Sequence, residues 1–167
     1  PLTEHRKPLT VLTPCLKHST IPTMQIQPVS ELKRQLHALL EQQALKKGKF
    51  ILSSGKESNY YLDGRIITLT PEGAYLIGAI MLDMVKDLSI DAFGGPTLGA
   101  DPIVGAVAAL SHMQKVPFTT FIVRKAAKEH GMGKQVEGPV LKTGSRVVIV
   151  DDVATTGKAL IEAKDAL

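Results

Sequence analysis

The chain has a single cysteine, Cys15, in 167 residues. One thiol cannot close an internal disulfide or build a cysteine-based zinc cage, so the fold must rest on a hydrophobic core, and a reducing, cytoplasmic setting is expected. No apolar run approaches the roughly 20 residues of a membrane span, which excludes a spanning helix and leaves no membrane partner to expect. Basic charge is not gathered into one patch. The net charge is +4, yet the lysines and arginines are scattered apart from two short stretches. A phosphorylated small molecule explains that pattern as well as nucleic acid does, and no nucleic-acid partner is expected. With 44% hydrophobic and 22% charged residues, the composition is that of one globular domain.

Ordinary signals are also missing at both ends. The chain starts at Pro1, and residues 1–23 are rich in Thr, Pro and basic residues, with Glu4 the one acid and no apolar periodicity. They read as a disordered tail or translated upstream sequence, with a basic, hydroxyl-rich transit peptide as the other reading. Met24 directly precedes the first patterned segment, so the domain is expected over residues 24–167. At the other end, KALIEAKDAL stops within a helical pattern without a Gly, Asn or Pro stop, and a missing C-terminus is expected.

Between these ends, Leu32, Leu36, Leu39, Leu40 and Ala44 recur at helical spacing, with Ser30 as a candidate cap and Gly48 as the stop. Short strands are expected at residues 50–52 and 60–62, around the turn SSGKESN. Thr70-Pro71-Glu72 opens a second helix whose buried stripe reads Ile77, Ile80, Met81, Met84, Val85 and Leu88. Strand signals follow at residues 90–93, 118–123 and 147–150, with a helix near 101–113. Strands alternating with helices predict an α/β fold with a doubly wound, mainly parallel sheet, whose ligands sit at the carboxyl ends of its strands.

Three such ends carry chemistry. GGPTLGADP, residues 94–102, has glycines that admit a ligand to the backbone, and Ala100-Asp101-Pro102 starts a helix whose N-terminus favours an anion. A tight strand-to-helix turn is the plain alternative. VRKAAKEHGMGKQVEG, residues 123–138, carries Arg124, Lys125, Lys128, His130 and Lys134 with no apolar periodicity, and reads as a mobile loop able to close over a polyanion. A solvated charged loop is its plain alternative. VVIVDDVATTGKAL, residues 147–160, runs four β-branched apolar residues into two adjacent carboxylates. An unpaired buried charge is costly, so Asp151 and Asp152 must face solvent, a cation or a hydroxyl-rich ligand. The following ATTGKA offers backbone N–H groups, two hydroxyls and a helix N-terminus, a nest for a phosphate. A ribose 5-phosphate satisfies both, its hydroxyls on the acids and its phosphate on Ala154, Thr155, Thr156, Gly157, Lys158 and Ala159. The spacing matches neither a Walker A loop nor a Rossmann fingerprint.

VVIVDDVATTG resembles the phosphoribosyl diphosphate (PRPP) binding signature of type I phosphoribosyltransferases. FILSSGKESNYYLDGR, GGPTLGADP and RKAAKEHGMGKQVEG are similar to orotate phosphoribosyltransferase, and the resemblance covers residues 29–167. It implies the type I phosphoribosyltransferase fold with a small N-terminal hood-like segment. It also implies Mg2+-dependent transfer of the phosphoribosyl group from PRPP to orotate, giving orotidine 5'-phosphate and diphosphate in pyrimidine biosynthesis. Asp151, Asp152, Val153, Ala154, Thr155, Thr156, Gly157, Lys158 and Ala159 then match the PRPP segment. Arg124, Lys125, Lys128 and His130 match the loop over the diphosphate, and Lys125 matches a lysine that reaches the partner's site in a homodimer. Thr155, Lys56, Tyr60 and Tyr61 are then the orotate-binding candidates, though ordinary strand packing is an equal reading of the tyrosines. No protein ligand binds the metal directly; Mg2+ comes with PRPP, with a water-bridged contact to Asp151 as the one link to the chain.

The chain departs from the enterobacterial pattern in having Ser53 and Gly99 where that pattern has lysines, with Lys56 a candidate for part of the lost charge. A later arginine that holds the orotate carboxylate is implied past Leu167. By charge, Lys125, Lys128 and His130 should act on the leaving diphosphate, while Asp152 sits beneath the ribose and Asp151 holds hydroxyls or a metal-bound water. Two rival readings stand beside this: a purine-type phosphoribosyltransferase, and a non-catalytic PRPP-binding regulatory protein of the same fold. SSGKESNYYLDGR and RKAAKEHG argue against the first. The second needs a basic recognition element, for which the unpatterned tail is a poor candidate.

Overall fold

The computed structural model describes residues 27–52, 55–126 and 134–167. Helix α1 (Val29–Leu39) buries Leu32 and leads into a π-helical turn, Leu40–Ala44. Ser30 does not cap it: Pro28 holds the cap position and Ser30 lies inside the first turn. An antiparallel hairpin follows, β1 (Leu45–Ile51) with β2 (Glu57–Leu62), and its register is interrupted between Lys47 and Phe50. Gly48 therefore sits in this irregularity rather than ending the helix. The first strand starts five residues earlier than the sequence predicts, through LKKGK. A hairpin with no buried face can carry a run of lysines, so the apolar alternation that marks half-buried strands is missing there.

Arg65–Thr68 forms a short helix, α2, and Pro71–Val85 forms α3. Thr70 caps α3, its hydroxyl accepting from the Gly73 N–H at 3.1 Å, and Pro71 occupies the first turn as expected. The buried stripe of α3 differs from the predicted one. Leu76 and Leu82 are buried, whereas Met84 and Leu88 are 60% and 53% exposed. The helix lies between two others. Leu76 and Ile80 meet Leu32 of α1, while Ile77, Leu82 and Val85 join Ile103, Val104, Val107 and Leu110 of α4 (Ala100–Met113). One helical stripe cannot describe a helix covered on two sides.

The main sheet comprises β3 (Ala92–Pro96), β4 (Thr119–Val123), β5 (Val136–Glu137) and β6 (Val147–Ile149), in the order β5-β4-β3-β6. Strand β3 is parallel to both β4 and β6, and β5 runs antiparallel to β4. Phe93, Val148 and Val150 pack with α3 and α4 on one face. On the other face, Ala92, Phe121 and Val123 pack against Ala163 of α5 (Lys158–Asp165). Helices on both faces make the sheet doubly wound, as the strand-helix alternation predicts. Strand β5 was not expected: part of the basic segment read as loop is the returning strand that pairs with β4.

Gly94 and Gly95 lie inside a fully buried strand rather than at the start of the turn. A Cβ on Gly94 would strike the Phe121 ring, and one on Gly95 would strike the Val150 carbonyl. Missing side chains let β3 run on to Pro96, so the turn at its end is only Thr97 to Gly99. Together with the end of β6, that turn forms the floor of a cleft.

Candidate active site

Val150, buried at the end of β6, donates to the Gly94 carbonyl at 2.8 Å, and the chain then leaves the sheet at Asp151. The Asp152 N–H donates to Asp151 Oδ1 at 3.0 Å. Burial pushes the Asp151 carboxyl above the usual aspartate range, and the neighbouring Asp152 charge adds to this against the hydrogen bond from its own N–H. On the adjoining strand end, Thr97 N–H donates to the Val123 carbonyl at 3.0 Å, and the Thr97–Leu98 peptide is cis. Gly99 then passes directly over both acids. A Cβ there would run into Oδ1 of Asp151 and Oδ1 of Asp152. With this backbone, a lysine at Gly99 would have to displace the acid side chains or the turn.

The segment after the acids turns at Gly157, whose φ of 74° is left-handed and suits a residue without a Cβ, and then enters α5. Val153, Ala154 and Thr155 line the main cleft together with Asp152. Asp151 and Ala159 face an adjoining smaller cleft of about 600 Å³, shared with Arg124 and Lys125. Thr156, Gly157 and Lys158 line neither: the Thr156 hydroxyl accepts from the Lys158 N–H at 3.4 Å, and the Lys158 ammonium stands 3.5 Å from Glu162.

The hairpin supplies the opposite wall through Ile51, Ser58, Tyr60, Tyr61 and Leu62. Tyr60 is 55% exposed, and Tyr61 packs its ring 5.6 Å from that of Phe50. Lys56 is exposed at the hairpin turn and does not line the cleft. Arg124 and Lys125 close the third side, just beyond β4. The Arg124 N–H donates to the Gln135 carbonyl at 2.9 Å, the Gln135 amide returns a 3.0 Å bond to the Arg124 carbonyl, and the guanidinium lies 3.8 Å from Glu137. Lys128 and His130 lie outside the described residues, as does Ser53.

Sequence reasoning did not single out Asp63 and Arg65 and read Asp101 only as part of a helix start, yet all three line the same cleft. Arg65 Nε stands 3.3 Å from Asp63 and 4.0 Å from Asp152, so one of the two strand-end carboxylates has a cation of the chain itself beside it. Asp101 Oδ1 is buried with no hydrogen-bond partner among the described residues, and burial raises its carboxyl above the usual range. The only sequence signal for Asp63 and Arg65 is YLDGR at the end of a strand, and nothing in it points to residues some ninety positions later. At about 1760 Å³, the main cleft exceeds the few hundred Å³ that hold one small ligand.

The raised Asp151 pKa makes a stability prediction. An acid whose folded pKa lies above its unfolded value costs the folded state nothing below the unfolded pKa. The cost grows as pH rises from there through the folded pKa and is fully present above it. Asp151→Asn should therefore raise the melting temperature at neutral pH and leave it unchanged at pH values below the ordinary aspartate range. A melting series from acid to neutral pH checks this, and a uniform shift at every pH would tie the effect to packing instead.

The mainly parallel sheet thus carries its acids and its glycine turn at the strand ends, with the hairpin across the cleft from them. The family model described as "Phosphoribosyl transferase domain" matches residues 66–167. An orotate phosphoribosyltransferase from Synechocystis sp. is 43% identical over 148 residues, covering 89% of this chain and 74% of that protein. The crystal structure of Mycobacterium tuberculosis H37Rv orotate phosphoribosyltransferase in complex with Fe(III) dicitrate superposes with a TM-score of 0.68 at 38% identity, covering 81% of this chain and 75% of that one. The same enzyme in complex with PRPP gives 0.63 at 34% identity, with 81% and 73% covered. The chain belongs to the orotate phosphoribosyltransferase family. Among the described residues, no helix is long and apolar enough to cross a membrane.

Proposed function

We propose that the chain transfers the 5-phosphoribosyl group of PRPP to orotate, with Mg2+, as a cytoplasmic homodimer with shared active sites. The observation that carries the reading is the meeting of Asp152, the Thr97–Gly99 turn, Val153 to Thr155 and the hood tyrosines in one cleft. PRPP binding by a structural relative at 34% identity supports PRPP as the donor. The single cysteine supports the reducing compartment. Among the described residues, no three His, Cys, Asp or Glu side chains come together to hold a metal ion. The donors present, two carboxylates beside a turn of backbone, suit a hard cation bound mainly through substrate phosphates and met by the chain through water. When bound, Mg2+ neutralises charge on the diphosphate.

In the reaction, the bond from ribosyl C1 to the diphosphate oxygen breaks, the electron pair leaves with diphosphate, and a ring nitrogen of orotate bonds to C1 as its N–H proton passes to the departing diphosphate. Positive charge develops on the ribose and negative charge on the leaving group. Asp152 lies beneath the first, while Arg124 and Lys125, joined by Lys128 and His130, meet the second. Asp151 holds ribose hydroxyls or a metal-bound water, and Thr155, Tyr60 and Tyr61 border the base. Water excluded from the cleft cannot hydrolyse PRPP. Loss of orotate absorbance with PRPP and Mg2+, and no turnover with adenine or hypoxanthine in its place, is the expected result. Turnover of a purine base, or PRPP binding without any transfer, would replace this reading with one of its two rivals.

A further inference from the structure

We propose that Arg65 is a positioning residue for the transfer step. It holds the carboxylate of Asp152 in one orientation, with Oδ2 toward its guanidinium. This rests on the reading that Asp152 faces the ribosyl group.

Arg65 begins α2, immediately after the hood hairpin. Its backbone N–H and its Nε both donate to Asp63 Oδ1, each at 3.3 Å, so the guanidinium is anchored on its own turn. The same Nε stands 4.0 Å from Asp152 Oδ2. That separation is too long for a hydrogen bond and acts as an attraction between charges. The Asp152 side chain is 14% exposed against 47% for that of Arg65, so the acid's end of the pair is the less screened by solvent.

Gly64 supports the same geometry independently. Its φ of −60° and ψ of −29° are ordinary helical values open to any residue, so its backbone does not require glycine. A Cβ at Gly64 would lie 3.0 Å from Asp152 Cβ and 3.1 Å from its carbonyl oxygen and Oδ2. The missing side chain lets the turn rest on Asp152. On the opposite side, Asp152 Oδ1 faces Gly99. The two oxygens are thus distinguished, Oδ2 toward Arg65 and Oδ1 toward the Gly99 turn. A carboxylate held in one orientation stabilises charge at C1 without reorganising during the step.

Steady-state kinetics of Arg65→Gln, Arg65→Lys and Gly64→Ala, alone and combined with Asp152→Asn, test the proposal. Arg65→Gln is expected to lower kcat about 10- to 100-fold, the usual cost of losing an orienting partner. KM for PRPP should move less than about threefold, because the interaction acts in the transition state. The melting temperature should stay at the wild-type value, and Arg65→Lys should recover part of kcat. In an Asp152→Asn background, adding Arg65→Gln should cost little more, since residues acting through one group are not additive. Wild-type kcat in Arg65→Gln, beside a strongly impaired Asp152→Asn, would overturn the positioning role and leave the wider reading standing. A full additional loss on top of Asp152→Asn would show that Arg65 acts independently of Asp152, and would also overturn it. Wild-type kcat in Asp152→Asn would remove the underlying reading and the proposal with it. Where Arg65→Gln does not fold, Arg65→Lys and Gly64→Ala carry the test, and unchanged kcat in both would overturn the proposal.

Discussion

Asp152→Asn should lower kcat about 10²- to 10³-fold, the scale of removing one preorganised charge-stabilising group from a transition state. The amide keeps the size of the side chain and removes only its charge. Asp152 follows a buried strand end but lies at the cleft floor, with its carboxylate between Gly64 and Gly99, so the substitution alters no core packing. PRPP affinity should fall much less than kcat, since positive charge on C1 appears only as the bond to diphosphate breaks. Circular dichroism and melting should match the wild type. A loss of several kcal/mol of stability with PRPP turnover intact would make the acid pair a structural feature instead.

Lys125→Ala should produce the second large effect, a loss of kcat on the order of 10²-fold with a smaller change in KM for PRPP, as expected for a cation that meets charge developing on the leaving group. Lys125 is exposed just beyond β4 and borders both clefts, so its removal leaves no buried group unpaired. If Lys125 serves the partner's site in a homodimer, Lys125→Ala and Asp152→Asn proteins should complement each other. Random exchange in an equal mixture makes half the dimers hybrid, each with one intact site, so activity should recover to about a quarter of wild type. With subunit exchange confirmed, no recovery on mixing would assign Lys125 to the site of its own subunit. His130→Ala is expected to act in the same direction.

The sequence alone determined the sheet order's raw material and the chemistry of the floor. Thr70-Pro71 opening α3, the strands at Phe93, Phe121 and Val148, and the acids at the end of β6 were all legible, because each is a local signal: a cap, a β-branched run, or a charge that cannot be buried. The lysine-rich first half of β1 was not legible, because an exposed hairpin leaves no apolar alternation to read. Strand β5 was hidden because two residues paired along one edge have no periodicity. The burial of Leu76 and Leu82 depends on which helices flank α3, which a single stripe cannot encode. In the site, Asp151, Asp152 and Thr155 follow from one contiguous motif. Asp63, Gly64 and Arg65 join them only because the hairpin folds back over the end of β6. Neither residue type nor spacing records that a guanidinium at position 65 comes within 4.0 Å of a carboxylate at position 152. Such pairings are fixed by packing between distant segments, so only the tertiary structure decides which of the many exposed charges meet.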